Sequence, residues 1–261
     1  MPNNSKIIFR VVGGLGNQLF IYAFARSVGI KYNVPVSLET HTGFIKDPYK
    51  RNYCLNKFNI HLENCSRFDS LYYPLHKRFQ RLTKIIYGST TYYTEQDIDL
   101  NSLNKILIQS NKIFLDGYWQ KENYFSEYID IIRKELSLKR GMIPKNQNLA
   151  GEMNSCNSVA VHLRRVMYDN VLGLDYYLES IKKIERQIEN PVFYIFSDDI
   201  EWCKNNFKLH EKLIFINHNG NDDSSELWLM SQCKHFIIAN STFSWWGAML
   251  SIHPQKIIIK P

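Results

Sequence analysis

No stretch of this 261-residue chain stays apolar long enough to cross a bilayer. The longest run without a charged residue, Phe236 to Ile252, carries asparagine, serine, threonine and two tryptophans. No secretory leader is expected either: Lys6 and Arg10 flank only Ile7, Ile8 and Phe9, too little for a signal peptide's apolar core. Cysteine is sparse. Cys54, Cys65, Cys156, Cys203 and Cys233 are odd in number, scattered, and form no C-x-x-C, which argues against a disulfide framework or a thiolate zinc site and fits a reducing compartment. Basic tails, zinc-finger spacings and RNP-like patterns are missing as well, so nucleic acid is not an expected partner. These absences lead to the expectation of a cytoplasmic protein.

What is present is a large apolar and aromatic inventory with a basic balance. The net charge of +7 raises the local concentration of anionic partners without choosing among nucleotide, nucleic acid and acidic membrane. The 16 Tyr, 15 Phe and 5 Trp fill cores and can also stack on sugars or bases. The length suits two domains of ordinary size.

The N-terminal half opens with a β-branched and aromatic run, Lys6 to Val12, that stops at Gly13-Gly14-Leu15-Gly16. A helix is predicted from Asn17 to about Tyr32, with Leu19, Phe20, Ala23 and Ser27 on one face. Strand, glycine-rich turn, helix is the layout of a nucleotide-adjacent βα turn, although G-G-x-G is neither the dinucleotide fingerprint nor a P-loop. Val34 to Leu38 reads as the next strand, and the signal blurs from Thr40 to Ser110. Within that stretch the basic, amphipathic segment Lys77 to Tyr87 leaves open a peripheral membrane contact, against the commoner solvated helix face. Lys112 to Leu115 is a strand leading into Asp116-Gly117-Tyr118-Trp119-Gln120, and a helix is predicted from Asn123 to Leu138.

Lys139 to Asn157, with Gly141, Pro144, Gly151 and several asparagines, reads as a linker. It divides the chain into domains 1–145 and 146–261. Beyond it strands and helices alternate: strands at Ser158–His162, Val192–Phe196, Leu213–Ile216, His235–Ala239 and Lys256–Lys260, with helices between. Ser224 or Ser225 is the expected cap of the helix reaching Cys233. Alternation of this kind predicts a parallel sheet covered on both faces, and two such units predict a ligand cleft.

Four stretches fall at strand carboxyl ends, where open α/β sheets bind ligands: Gly13–Asn17, His162–Arg165, Ser197–Asp199 and Asn240–Ser244. Arg164 and Arg165 side by side repel, and the planar guanidinium fork suits phosphate; the alternative is a surface pair, each arginine bridged to a carboxylate. Asn240-Ser241-Thr242-Phe243-Ser244 opens a helix with hydroxyls and free N–H groups; alone it also reads as an ordinary serine/threonine cap, and beside the arginines as the opposite jaw of a diphosphate clamp. Glu226 near a nucleotide could accept both N1–H and N2–H of guanine; otherwise it is a favourable first-turn charge. Asp198-Asp199 reads as helix-capping in preference to metal-binding, and the expected chemistry uses no metal and no cofactor.

These residues resemble the bacterial α1,2-fucosyltransferases, glycosyltransferase family eleven. The matching stretches are Gly13-Gly14-Leu15-Gly16-Asn17-Gln18-Leu19-Phe20 with Tyr22 and Ala23, Asp116-Gly117-Tyr118-Trp119-Gln120, His162-Leu163-Arg164-Arg165, Phe196-Ser197-Asp198-Asp199, Leu227 to Ser231, and Ile238-Ala239-Asn240-Ser241-Thr242-Phe243-Ser244-Trp245-Trp246-Gly247-Ala248. The resemblance implies an α/β fold, GT-B-like, with two Rossmann-like domains facing a cleft, the first on the acceptor side and the second binding the donor. It implies GDP-L-fucose as co-substrate, inversion at the fucose anomeric carbon, and a galactose-containing oligosaccharide or lipid-linked glycan such as O-antigen as acceptor. Arg164 would take the diphosphate with Arg165 beside it, and Ser241, Thr242 and Ser244 would lie on its other side. Glu226 would meet guanine, and Gly14, Gly16 and Asn17 would approach from the first domain. His162, Tyr118 and Trp119 complete the expected substrate contacts. Asp169 and His162 are the candidate bases, but His162 at a strand end is expected to be oriented by hydrogen bonds and not catalytic, and the base stays unassigned.

Two departures stand out. The family continues its Arg-Arg with Gly-Asp-Tyr, whereas Val166-Met167-Tyr168 follows here, with Asp169 two residues beyond the missing aspartate. The chain also stops at Lys260-Pro261, where relatives continue, so a shortened C-terminal domain is expected. A GDP-sugar-binding protein of impaired catalysis, and a transferase using a different sugar nucleotide, therefore stay open beside the fucosyltransferase.

Overall fold

The computed structural model describes residues 6–87, 90–98, 103, 105–106, 110–166, 170–207 and 213–261. Two compact units divide the chain, Met1–Lys139 and Arg140–Pro261. Each carries a five-stranded sheet in which every described pairing is parallel. The two α/β units expected from the alternation are there.

In the first unit the strands are β1 (Lys6–Arg10), β2 (Val36–Glu39), β3 (Glu63–Asn64), β4 (Thr90–Thr94) and β5 (Lys112–Asp116), in the order β3-β2-β1-β5-β4. The helix Leu15–Tyr32 fills the connection from β1 to β2. It is buried on nearly every side, not on the single face the spacing predicts, because Phe20, Ile21, Tyr22, Phe24 and Val28 all find apolar neighbours. The predicted helix Asn123–Leu138 is shorter. Two 3-10 turns precede it and Phe125 leaves the helical region, so the α-helix is Ile129–Glu135. The basic segment is likewise two helices, Tyr72–Arg78 and Gln80–Tyr87, broken where Phe79 takes φ −141° and ψ 65°.

The division at Lys139–Arg140 comes ahead of the expected break at 145–146, and the predicted linker is largely a helix, Pro144–Ser155. Proline sits at its first positions, where a missing N–H costs no hydrogen bond. Ala150 and Met153 join the second unit's core, and Asn146 donates to Asn219 at 2.9 Å.

The second unit contains β6 (Asn157–Leu163), β7 (Pro191–Ser197), β8 (Leu213–Ile216), β9 (His235–Ile237) and β10 (Ile258–Ile259), in the order β10-β9-β6-β7-β8. Side chains alternate across this sheet. Ala160, Tyr194 and Phe196 pack with Leu229, Met230 and Ala248 on one face. Val159, Val161, Leu163, Phe193 and Ile195 pack with Ile181, Ile184 and Cys203 on the other. The chain runs outward from β6 through β7 to β8 and returns to the opposite side of β6 at β9. The order reverses between β6 and β9, and a reversal point of this kind opens a crevice at the carboxyl edge.

Candidate functional site

The residues at the carboxyl edge of the second sheet come from β6, β7 and the turn after β9, three neighbours in one parallel sheet. Arg164 follows β6 directly. Its Nη1 lies 3.2 Å from Oδ2 of Asp198, and its side chain stays 39% exposed. Arg165 is held differently: its guanidinium carbon sits 3.5 Å from the centre of the Trp202 ring, and its Nε is 3.5 Å from Oδ2 of Asp199. A cation over an indole face is favourable, more so when shielded from water. The two arginines thus divide the work. Arg164 keeps an accessible fork, and Arg165 is packed in place.

Asp199 caps the helix Ile200–Asn206 by accepting from the Trp202 N–H at 3.1 Å, as the capping reading expects. Asp198 does not cap. It accepts the backbone N–H groups of Arg165 at 2.8 Å and Val166 at 3.1 Å. Both carboxylates are engaged by cations and N–H donors, and among the described residues no cluster of three His, Cys, Asp or Glu is placed to hold a metal ion.

His162, the last residue but one of β6, is 5% exposed and tilted against Phe243 with ring centres 5.6 Å apart. Burial, assisted by the Arg164 charge, pushes its pKa down to about 3, so it is neutral at physiological pH. Its Nδ1 has no hydrogen-bond partner among the described residues. The expectation that hydrogen bonds orient this ring is corrected: burial and the Phe243 ring do so.

Across the crevice, the helix Thr242–Leu250 begins at Ser241, whose side chain makes no capping hydrogen bond, and its first turn has no acidic residue. Ser241 and Thr242 stand at the N-terminus of the helix that follows β9, the kind of position that suits an anion. Ser244 does not join them. It is fully buried, and its hydroxyl lies 3.2 Å from the Ser241 carbonyl and 3.5 Å from that of Ala239, closing the turn from inside. Asp169 lies outside the described residues.

Glu226 is in the first turn of the helix Asp223–Ser231. Ser224 and Ser225 do not cap this helix; their hydroxyls donate to Asp222, at its N-cap, at 2.6 Å each. The Glu226 carboxyl is raised to about 7, first by burial and then by the charges of Asp223 and Asp198. No described side chain pairs with it. A partly buried carboxylate without a partner suits a ligand that brings N–H donors.

In the first unit, the turn after β1 and the loop after β5 meet. Gly13 takes φ +79°, which only glycine adopts at low cost, and Gly14 is the N-cap of the helix Leu15–Tyr32. Gly16 is buried in the first turn. Asn17 Oδ1 accepts from Gln120 Nε2 at 2.9 Å, joining the two loops. Glu95 holds the second loop by accepting the Tyr118 and Trp119 N–H groups, both at 2.9 Å. Tyr118 is exposed, but Trp119 is completely buried against Phe9 and Phe24. Trp119 is therefore core and not the substrate contact expected of it. Below this edge, Arg10 pairs with Asp116 at 3.1 Å, Asp116 also accepts from Tyr92 at 2.7 Å, and the buried Glu39 carboxylate accepts the His41 and Thr42 N–H groups. Arg51, stacked on Tyr49 at 4.3 Å and adjacent to Gly14, brings a further cation to this edge. Nothing in the spacing of Arg51 or Glu95 marks them in sequence; only the loop packing does.

The family described as Glycosyl transferase family 11 matches residues 6–261. The chain is similar to an alpha-1,2-colitosyltransferase of Escherichia coli, 32% identical over 98% of this chain and 91% of that one. It is also similar to the O-antigen biosynthesis glycosyltransferase WbnK of Escherichia coli, 29% identical over 95% of this chain and 91% of that one. Among solved structures its fold resembles NodZ alpha-1,6-fucosyltransferase of Bradyrhizobium soaked with GDP-fucose, with TM-score 0.61 and 15% identity, covering 95% of this chain and 92% of that one. The fold is GT-B-like.

Proposed function

The chain belongs to glycosyl transferase family 11, and on that premise we propose that it transfers L-fucose from GDP-L-fucose to the 2-hydroxyl of a galactose-containing surface glycan. The transfer inverts the anomeric carbon and uses no metal. One observation carries the reading: an accessible arginine after β6 and an N-terminus without a side-chain cap after β9 flank the crevice of one parallel sheet. That pairing fits a diphosphate.

In the reaction, the bond from fucose C1 to the β-phosphate oxygen breaks while the acceptor hydroxyl forms a new bond to C1 from the opposite face. The hydroxyl proton leaves to a base, and the electron pair departs with GDP. Arg164 and the N–H groups at Ser241–Thr242 stabilise the charge that grows on the leaving group. His162, held neutral by burial, adds a polar ring to the crevice without adding charge. Glu226 takes the guanine edge. The carboxylates of Asp198 and Asp199 are occupied by arginines and N–H donors, which supports the metal-free reading. We assign no base to a described side chain.

Arg164→Ala is expected to lower transfer ~100–1,000-fold, and EDTA to leave the wild type active. An EDTA-sensitive enzyme indifferent to Arg164 would overturn the mechanism.

A second donor reading has its own support. The relative 32% identical over nearly the whole chain is named for colitose, a fucose lacking one ring hydroxyl. A site built to hydrogen-bond that hydroxyl discriminates strongly, and an apolar one does not, so kcat/KM for the two GDP-sugars separates the readings. Binding of GDP without turnover on any galactoside would instead favour a sugar-nucleotide-binding protein, which the Val166-Met167 departure motivates.

The site of action follows from the acceptor. No described helix is long and apolar enough to cross a membrane. The helix Gln80–Tyr87 exposes Leu82, Ile85 and Ile86 at i, i+3, i+4 spacing. An apolar stripe in a basic segment supports peripheral contact with the inner membrane, where a lipid-linked acceptor would lie.

A further inference from the structure

Two adjacent guanidiniums at a strand end repel each other, and each has a long flexible stem, so something has to aim the one that meets substrate. Strand register supplies it. Leu163 of β6 pairs with Ser197 of β7, so Arg164 and Asp198 leave the sheet side by side. Asp198 then commits both oxygens to the β6 loop. Oδ1 accepts the Arg165 N–H, and Oδ2 accepts the Val166 N–H and lies 3.2 Å from Nη1 of Arg164. One carboxylate therefore fixes the backbone of two residues and the guanidinium of a third. Arg165 is held by a separate set, Asp199 and Trp202.

We propose that Asp198 is a positioning residue for nucleoside diphosphate binding, bracing the 164–166 loop so that Arg164 presents its fork to the diphosphate. This rests on Arg164 being the diphosphate ligand. The carboxylate that braces the arginine comes from the neighbouring strand. Holding the fork in one geometry before the ligand arrives removes an ordering cost that a free side chain would meet on binding. Asp198 contacts no reacting atom and acts through Arg164.

The test is a double-mutant cycle on Asp198→Asn and Arg164→Ala, with GDP and guanosine affinities measured calorimetrically at pH 8 and kcat and KM measured with GDP-fucose. Asparagine keeps one acceptor for the Arg165 N–H but turns its amide towards the Val166 N–H and Arg164, both donors. Asp198→Asn is expected to weaken GDP about tenfold, to leave guanosine unchanged, and to lower kcat. On the Arg164→Ala background it should add almost nothing, because both changes remove one interaction. Should the asparagine variant unfold, Asp198→Glu, which keeps both acceptor oxygens on a longer arm, carries the same cycle with a smaller expected loss. Wild-type GDP affinity in a folded Asp198 variant, or a loss fully additive with Arg164→Ala, would overturn the inference. If Arg164→Ala itself binds GDP normally, the diphosphate reading fails, and that outcome is separate from anything Asp198 does.

Discussion

Glu226 offers the sharpest physical test, because its burial makes opposite demands on the empty and the loaded protein. Its carboxyl is raised to about 7 by burial first, with Asp223 on its own helix and Asp198 at the end of β7 adding like charge. The sign follows from linkage. Between the ordinary value of 4.5 and about 7 the native state keeps a proton that the unfolded chain has lost, so stability falls as pH rises through this window. Above pH 7 the ionised group costs about 3 kcal/mol relative to an exposed glutamate, at 1.36 kcal/mol per pK unit. Glu226→Gln removes that cost. The variant without ligand is expected to melt higher than wild type at pH 8 and at the same temperature near pH 4. Guanine reverses the preference, since its N1–H and N2–H need the ionised form. Wild-type affinity for GDP should therefore fall about tenfold between pH 8 and pH 6, and the same titration on Glu226→Gln, a weaker binder, should lack that component. The variant also controls for the phosphate's own titration. Calorimetry across this range with matched thermal melts reads both arms. Equal pH slopes for the two proteins would refute the guanine contact, and an unchanged melting temperature at pH 8 would refute the burial argument beneath it.

Other consequences can be measured more briefly. Trp202→Ala removes the surface under Arg165 and should cost about 1–2 kcal/mol of stability, with the loss in GDP affinity smaller than for Arg164→Ala; a larger one would mean that Arg165 is the principal anion ligand. Removing the Asp198 charge should shift the midpoint of the GDP pH profile downward, because a negative neighbour of Glu226 disappears. Ile85→Glu with Ile86→Glu should reduce co-sedimentation with vesicles containing anionic lipid while leaving turnover on a soluble galactoside intact; unchanged sedimentation would dismiss the membrane contact.

The legible and illegible parts of this protein separate on physical grounds. Strands β6, β7 and β8 were readable because a parallel strand buried on both faces is apolar without interruption, and the helices between them carry ordinary spacing. Strands β3 and β4 were not. Glu63–Asn64 is two exposed residues at a sheet edge and Thr90–Thr94 is only half-buried, so neither has the pattern that burial imposes. The helix Pro144–Ser155 was hidden by its asparagines and Gly151, poor helix formers that the packing of Ala150 and Met153 outweighs. Ser244 and Trp119 looked like ligand residues because residue type says what a group can bind and nothing about which way it faces; one closes a turn and the other fills a core.

The arginine pair shows where the limit lies. Arg164 stands out as a candidate anion ligand from its place after an apolar run, a purely local fact. Its brace does not, because Ser197-Asp198-Asp199 before a helix is also what a simple cap looks like, and Asp199 is one. The distinction needs two non-local facts: that β7 lies next to β6, and that Leu163 pairs with Ser197. Given the usual adjacency of consecutive strands in a βαβ unit, both follow from aligning the carboxyl ends of the two runs. Parallel register then sets the residue after one strand beside the residue after the next. An anion-binding arginine that follows one strand is therefore best sought together with a carboxylate at the same level on its neighbour, since that level is where the brace must stand.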